Sequence, residues 1–249
     1  MRPWVFPLLL LALLEAAARW LVPGSDALAP PSQALLAFGK ALSASGDDSV
    51  LQATAFTLSS AALGLLLGAA LGVTLGLVLG LSRRAAAMGF LSIEVLRPVP
   101  SVALIPLAML VFGFGYRMEI SVVAFATFWP LLILTQAAAR QVEPQLLEVA
   151  HALGLSAWAR TTQIVLPAMV PRLFIALRLG VSFALVVAVT VEIAANPSGM
   201  GYAMMIAQQS LAPDLMLAWL AWIGVVGFAI NALTLRLQRA IRSEEHTSE

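Results

Sequence analysis

Cysteine is absent from the 249 residues, and charged residues are scarce. The lack of thiols excludes disulfides, thiolate metal sites and cysteine nucleophiles. Charged residues make up 11% of the chain, less than half of the roughly 25% that soluble domains carry. Hydrophobic residues make up 61%, and the mean hydropathy is +0.94. A soluble enzyme is therefore nearly excluded, because such a chain cannot cover a globule with polar surface, and lipid is its natural solvent.

Basic residues are almost all arginine, and Lys40 is the single lysine. The net charge of +1 gives a nucleic-acid partner no electrostatic support. Lys40 follows Gly39, but a Walker A loop also needs Ser or Thr after the lysine and a second glycine five residues before Gly39. Ala41 and Ala34 stand at those positions. We therefore expect no P-loop in this chain.

Catalytic and metal-binding clusters are also missing from the sequence. The two histidines are His151, inside a predicted cytoplasmic helix, and His246, in the C-terminal tail. One histidine per region cannot assemble a metal site, and there is no acidic dyad to support acid–base chemistry. We expect no catalytic residue, no metal and no cofactor.

Long uncharged stretches predict transmembrane helices, which need about 20 apolar residues each. Four uncharged stretches meet this length. A further span is predicted from Leu173 to Ile193, because its charged residues Arg178 and Glu192 lie near its two ends, where long side chains reach the interface. Ile193 to Pro213 is uncharged but polar, and we predict a loop and a short helix outside the membrane core. The four uncharged spans are about Phe56 to Leu81, Pro98 to Tyr116, Ile120 to Ala139 and Leu215 to Leu235.

The N-terminal apolar stretch, Trp4 to Val22, carries Glu15 and Arg19 one helical turn apart. That pair suits a retained helix packed against partners, and it brings the prediction to an all-α polytopic membrane protein with six transmembrane helices. The alternative is a cleaved signal peptide, since Ala27-Leu28-Ala29 resembles a cleavage site. In the six-helix prediction, residues 1–55 form the first helix and an outer loop, and residues 56–241 form a permease core of five helices.

Arginines fall on one side of these spans. Positive residues remain in the cytoplasm, so the N-terminus is expected inside. The outer segments then hold Lys40 and Arg117 together with five of the thirteen acids, which are Asp26, Asp47, Asp48, Glu119 and Asp214. Both termini are expected in the cytoplasm of a multi-pass inner-membrane protein. The cytoplasmic segments hold Arg2, Arg83, Arg84, Arg97, Arg140, Arg160, Arg172, Arg236, Arg239 and Arg242.

Glycines recur every fourth residue through the second predicted helix, which places them along one stripe. Such a stripe lets another helix approach closely. Packing within one subunit is the favoured interpretation, and a contact between subunits is the alternative. The stripe consists of Gly64, Gly68, Gly72, Gly76 and Gly80.

The longest cytoplasmic loop, residues 140–172, has the pattern of two short helices. Pro144 is typical of a first helical position and Gly154 of a C-terminal cap. A second amphipathic helix is predicted from about Ser156 to Val165, ended by Leu166 and Pro167. The two helices form a compact cytoplasmic knob (residues 143–167), which either caps the bundle or docks into another protein.

The order of residues in this knob resembles the EAA loop of ABC-importer permeases. Glu148-Val149-Ala150 is followed by Gly154 six residues after the glutamate, and then by Ile164-Val165-Leu166-Pro167. Val149 is the one departure from the Glu-Ala-Ala pattern. The resemblance runs from about Thr57 to Arg239 and is closest to permeases for nitrate, sulfonates, taurine or bicarbonate. Matching stretches include Gly80-Leu81-Ser82-Arg83, Leu96-Arg97-Pro98-Val99-Pro100, Phe112-Gly113-Phe114-Gly115 and Gly199-Met200-Gly201-Tyr202.

This resemblance implies a transport subunit rather than an enzyme. Two permease copies, expected as a homodimer, would form the path; two ABC ATPase subunits would power alternating access and a periplasmic binding protein would deliver a small anion. Relatives also carry heterocyclic vitamin precursors. Glu148 would pair with a basic or backbone group, and Ala150 would be small for close approach to the ATPase. The apolar grip would come from Leu155, Ile164 and Leu166.

Polar residues in the fifth span are candidates for a substrate path. Ser182, Thr190 and Glu192 carry that hypothesis. Intramembrane acids are functional by default, but Glu192 equally suits a structural partner for a helix end. An ion-coupled secondary transporter is the rival hypothesis from another class, and it would need coupling residues near the midplane.

The C-terminal tail, residues 242–249, differs abruptly in composition from the rest of the chain. It resembles the translation of a DNA-sequencing adapter, so we expect it to be non-native and exclude it from functional reasoning. A short charged cytoplasmic tail is the alternative.

Overall fold

The computed structural model describes residues 5–20, 29–43 and 49–245, and these residues contain helices and no strand. The predicted all-α fold class is confirmed. The predicted ends of the first span and the second half of the tail, residues 246–249, lie outside the described residues. The α-helices are α1 (Val5–Trp20), α2 (Pro31–Ser43), α3 (Val50–Leu81), α4 (Arg83–Leu96), α5 (Ile105–Phe112), α6 (Tyr116–Arg140), α7 (Pro144–Ala152), α8 (Ala157–Arg160), α9 (Leu166–Ala194), α10 (Met200–Gln209) and α11 (Pro213–Glu245).

The chain divides into two compact units. One comprises Met1–Ser59 with Val189–Phe228, and the other comprises Ser60–Ala188 with Ala229–Glu249. In the first unit, α1 and α2 are joined by the Glu15 carboxylate, which pairs with Arg19 at 2.6 Å and accepts from the Ser32 backbone N–H at 3.0 Å. The Glu–Arg pair that the sequence singled out therefore ties two helices together.

Four helical stretches are long and apolar enough to cross a membrane among the described residues. They are Val50–Leu81, Tyr116–Arg140, Ala157–Ala194 and Pro213–Gln238. A fifth crossing arises if the bent pair Arg83–Leu96 and Ser101–Phe112 is one span. Helix α1 is described over Val5–Trp20, and the predicted span continues at both ends into residues outside the described part of the chain.

The predicted continuous span from Pro98 to Tyr116 is wrong. The chain bends by 82° between α4 and the segment Ser101–Phe112, whose first four residues are a 3₁₀ turn. Pro98 and Pro100 explain the break, because neither can donate a backbone hydrogen bond and each disfavours a helical residue before it. Pro106 causes no break, since it lies in the first turn of α5, where its missing N–H is not needed.

The predicted end of the knob's second helix at Leu166 and Pro167 is also wrong. Helix α8 passes through a π-helical turn, Thr161–Val165, directly into α9, so the helix runs on from Ala157 to Ala194. In that turn the Leu166 N–H bonds to the Thr161 carbonyl, five residues back. A wider turn fits next to proline, because Pro167 supplies no donor and its ring crowds the preceding turn. The knob's second helix is therefore the first part of a membrane span.

The segment predicted as a loop with a short helix is confirmed. Ala195 to Gly199 connects α9 to α10, and α10 is 10 residues long. The connection contains Gly199 at φ +93, a backbone conformation that side chains rarely adopt. Pro213 then begins the last long helix.

Candidate functional site

The first helix of the knob ends as the sequence predicts. Gly154 has φ +64, its N–H bonds to the His151 carbonyl at 3.0 Å, and the Leu155 N–H bonds to the Ala150 carbonyl at 3.0 Å. These two bonds form a Schellman cap, in which a left-handed residue satisfies the last carbonyls of a helix. The chain therefore reverses at Gly154 without leaving those carbonyls unpaired.

One side of α7 holds the knob to its own bundle. Ala150 is fully buried, and Leu147 packs against a buried cluster that contains Val142, Val165 and Met169. The expected close approach of Ala150 to an ATPase stays a prediction. Because Ala150 is already fully buried within this chain, the bundle itself favours a small residue at that position.

A second side of α7, about 100° around the helix from the buried one, is apolar and exposed. Val149 is 52% exposed and Leu153 is 67% exposed, and Leu146 lies on the same surface. Glu148 is exposed as well, and within the described part of the chain its carboxylate forms no ion pair. The predicted grip residues Leu155, Ile164 and Leu166 are half-buried, and Pro167 is exposed. The knob thus combines an anchored inner face with an unpartnered apolar outer face, defined by Leu146, Val149 and Leu153.

The glycine stripe packs against α6 of the same chain. This agrees with the favoured interpretation, a contact within one subunit. A Cβ on Gly64 would lie 2.6 Å from Val123 Cβ, and one on Gly72 would lie 2.7 Å from the Phe128 carbonyl oxygen. Both distances are far below van der Waals contact, so no side chain fits. The partners advance by four residues on both helices, from Val123 through Thr127, Leu131 and Thr135 to Ala139.

This four-residue register continues one step before the stripe. Ser60 lies four residues before Gly64, Glu119 lies four residues before Val123, and the Ser60 hydroxyl donates a hydrogen bond to the Glu119 carboxyl group. Glu119 is fully buried, so it is not one of the solvated acids of an open outer loop. The signal was available in the sequence, because a serine at the head of a close-packed glycine stripe must face the start of the partner helix.

Glu192 lies in a second polar cluster, at the end of α9. It is fully buried, and its Oε1 accepts a hydrogen bond from the Thr57 hydroxyl at 2.6 Å. Its Oε2 accepts from the Gly201 N–H at 2.8 Å, and Thr57 Oγ1 accepts from the Met200 N–H at 3.0 Å. The first N–H groups of a helix have no partner within the helix. Glu192 and Thr57 together therefore cap the start of α10.

The glycines beside Glu192 leave room for its carboxyl group. A Cβ on Gly199 would overlap both Oε1 and Cδ of Glu192, and a Cβ on Gly201 would lie 2.9 Å from Glu192 Cβ. Gly199 also has φ +93. The sequence Gly199-Met200-Gly201 is thus the backbone required for a buried carboxyl group to reach the N–H groups of α10.

The three candidate path residues do not form one surface. Glu192 has the capping contacts just described, and Thr190 and Glu192 are two residues apart on α9, a spacing that points side chains to opposite sides of a helix. Ser182 is exposed and donates to the Arg178 carbonyl of its own helix at 3.4 Å. The Arg178 side chain donates to Asn231 Oδ1 at 3.3 Å. No cluster of three metal-ligating side chains occurs among residues 5–20, 29–43 and 49–245.

Long apolar helices and a knob with an exposed apolar face are the features of a membrane protein with several spans. A family model described as "Binding-protein-dependent transport system inner membrane component" matches residues 64–244. The chain belongs to this family, the permease subunits of ABC importers.

Two relatives have names that assign them to aliphatic sulfonates transport. SsuC of Escherichia coli (strain K12) is 32% identical over 239 residues, which cover 95% of this chain and 89% of SsuC. SsuC of Bacillus subtilis (strain 168) is 30% identical over 181 residues, which cover 73% of this chain and 66% of that protein. The riboflavin transport system permease RibX of Chloroflexus aurantiacus is 32% identical over 143 residues, 57% of this chain and 53% of RibX.

Solved structures of ABC importers share the fold. An inward-facing structure of the MetNI methionine ABC transporter aligns with a TM-score of 0.67 at 16% identity, covering 77% of this chain and 95% of that chain. At this identity the likeness shows the fold alone.

Proposed function

We propose that the knob, residues 143–167, is the surface through which an ABC ATPase subunit drives this permease. The observation that supports it most is the division of α7 into a buried inner face and the apolar outer face of Leu146, Val149 and Leu153. An apolar helix face outside the membrane spans fits a groove on a partner protein. Glu148 adds an exposed carboxylate next to that face, for a basic or backbone group of the ATPase.

The proposed assembly contains two copies of this permease, two ATPase subunits and a periplasmic binding protein. ATP-driven closure of the ATPases draws the two knobs together and opens the path outward, and hydrolysis resets it. The π-helical turn supports this coupling, because the knob continues through Thr161–Val165 into α9 without a flexible linker. A displacement at the knob is therefore transmitted along a rigid element into the membrane.

Leu153→Arg tests the coupling surface. Leu153 is 67% exposed, so the substitution leaves the bundle intact but places a charge in the docking face. Co-purification of the ATPase and transport should both fall at least tenfold, since a charge buried without a partner in an interface costs about 2 kcal/mol or more. Leu35→Arg is the matched control, because Leu35 on α2 is 75% exposed. Normal ATPase recruitment by the Leu153 variant would refute the assignment.

For the orientation, we propose an inner-membrane protein with both termini in the cytoplasm. The arginine distribution supports this, because cytoplasmic loops retain positive charge. The knob lies between Arg140, the last residue of α6, and Arg172, in the second turn of α9. A reporter fused after Arg160 should be active in the cytoplasm, and one fused at Asp214 should be active in the periplasm. The opposite pattern would reverse the topology and remove the knob from the ATPase.

The proposed solute is a small anion of the sulfonate, taurine or nitrate type, delivered by a periplasmic binding protein. The two SsuC relatives support a sulfonate, and RibX supports the alternative of a heterocyclic vitamin or its precursor. Calorimetry of the cognate binding protein against alkanesulfonates, taurine, nitrate and riboflavin separates these. Exclusive binding of a neutral heterocycle would contradict the proposal that the solute is an anion.

A further inference from the structure

A cavity of about 550 Å³ lies beside the base of the knob, at the ends of three helices. Its lining comes from the end of α3, the start of α4, the end of α6 and Leu147 of α7. The volume is within the roughly 300–1,000 Å³ of small-ligand sites. Arg83 and Arg140 lie in the lining, with Leu79, Leu81 and Val142 among the apolar residues.

The charge of this cavity is uncompensated. The lining contains two arginines and no acidic residue. Both arginines are exposed, and the ion pairs formed within the described part of the chain involve Arg19 and Arg97 instead. Arg83 is also the first residue of α4, whose Ser82 cap accepts from Ala85. The positive end of the α4 dipole adds to the two guanidinium groups, whereas the C-terminal ends of α3 and α6 oppose them, so the two arginines carry the attraction for an anion.

The helix that leaves this cavity has the character of a lipid-facing element. Helix α4 has no buried residue, and its exposed side chains include Met88, Phe90 and Leu91. Basic residues flank that apolar surface, with Arg83 and Arg84 at its start and Arg97 after its end. Such a pattern is typical of helices that lie at the boundary between headgroups and acyl chains, and the 82° bend after α4 separates it from the segment Ser101–Phe112.

We propose that the cavity binds the phosphate group of an anionic phospholipid, with Arg83 and Arg140 as its ligands and the leucine-lined wall against the upper acyl chain. Guanidinium groups bind phosphate oxygens in pairs, and basic pockets between helices on the cytoplasmic side bind anionic headgroups. The bound lipid bridges the start of α4 and the end of α6 next to Leu147, so it braces the inner face of the knob. This site is separate from the path of the transported solute.

A phosphate ligand fits better here than an acidic surface of the ATPase. Leu147 in the cavity wall belongs to the inner face of α7, whereas Val149 and Leu153 form the exposed outer face. Residues 147 and 149 lie about 200° apart around a helix. A partner seated on the outer face therefore leaves the cavity open to lipid.

Native mass spectrometry and thermal unfolding of the purified permease test the site, with phosphatidylglycerol, phosphatidylcholine and inorganic phosphate as probes. Phosphatidylglycerol should bind and raise the unfolding temperature, and phosphatidylcholine should do neither. In Arg83→Gln/Arg140→Gln, the affinity for phosphatidylglycerol should fall roughly 30-fold, from about fivefold for each arginine near the membrane surface. Arg117→Gln is the matched control, because Arg117 lies in the first turn of the same helix that Arg140 ends.

Three outcomes would overturn the assignment. Equal binding of the two lipids would mean that headgroup charge is not recognised. Stabilisation by millimolar inorganic phosphate but not by phosphatidylglycerol would identify a soluble anion as the ligand. Unchanged phosphatidylglycerol binding with lost ATPase recruitment in the double variant would identify a protein contact. If the double variant does not fold, binding to the wild-type protein decides: phosphatidylglycerol affinity that is insensitive to high salt contradicts a site built on arginines.

Discussion

Helices α7 and α10 are similar in length, 9 and 10 residues, but different interactions hold them in place. Helix α7 is anchored by apolar burial of Leu147 and Ala150 and leaves an apolar face exposed. Helix α10 also buries Met200 and Ala207, and in addition its first N–H groups donate hydrogen bonds to Thr57 and Glu192. Apolar packing tolerates small shifts, whereas short hydrogen bonds define a position within a few tenths of an ångström. The comparison indicates that α7 presents its apolar outer face for contact with a partner, and that the hydrogen bonds of α10 hold the start of that helix against Thr57 and Glu192.

Glu192→Ala should have the largest effect of any change to this pair of elements. It leaves the buried Gly201 N–H without its acceptor, while the Thr57 hydroxyl retains the Ala53 carbonyl at 3.1 Å. An unsatisfied buried group costs roughly 1–3 kcal/mol and the removed side chain leaves a cavity, so we expect the free energy of unfolding to fall by about 2–5 kcal/mol. Denaturant unfolding in detergent measures it, together with transport in proteoliposomes.

Glu192→Gln is the control for that prediction. The amide keeps one oxygen as an acceptor, so one of the two hydrogen bonds remains and about half of the lost stability should return. A path residue behaves differently: the alanine and glutamine variants would then unfold like the wild-type protein and differ in solute affinity. Full stability of Glu192→Ala would therefore remove the capping role.

The sequence predicted α7 better than α10 for a physical reason. Pro144 and Gly154 act on their immediate neighbours, so local rules place both ends of α7 correctly. The contacts of α10 connect Thr57 to Met200 and Glu192, positions far apart in the chain. No periodicity in one segment reveals such a pairing, and the sequence left the role of Glu192 open between a structural partner and a path residue.

The same reasoning explains the two wrong helix ends. A helix was expected to end at Leu166 and Pro167, and a membrane span was expected to begin at Pro98 and to continue to Tyr116. The outcome depends on whether neighbouring residues re-pair the freed backbone groups: a π-turn does so before Pro167, and two prolines in three residues prevent it after Leu96. The glycine stripe was predictable, because its function depends on spacing alone, but its partner helix was not.

Alanine substitutions at two glycines with positive φ separate the cost of backbone strain from the cost of steric overlap. They give the smallest expected changes in the free energy of unfolding. Gly154 has φ +64, and a Cβ added there would have no atom within 4 Å, whereas a Cβ on Gly199 at φ +93 would overlap Glu192. Gly154→Ala should therefore cost only the strain of a left-handed residue, about 1–2 kcal/mol. Gly199→Ala should cost more, because the carboxyl group that caps α10 must move as well.

A double-mutant cycle sharpens this difference. In a Glu192→Ala background the overlap with the carboxyl group at Gly199 disappears, so Gly199→Ala should cost at least 1 kcal/mol less there than in the wild-type protein, roughly the coupling expected of residues in contact. Gly154→Ala should cost the same in both backgrounds, since nothing at the knob depends on Glu192. Unfolding midpoints of the five variants and the wild-type protein measure both terms. An additive cycle at Gly199 would mean that strain alone, and not the space for the Glu192 carboxyl group, requires glycine at the start of α10.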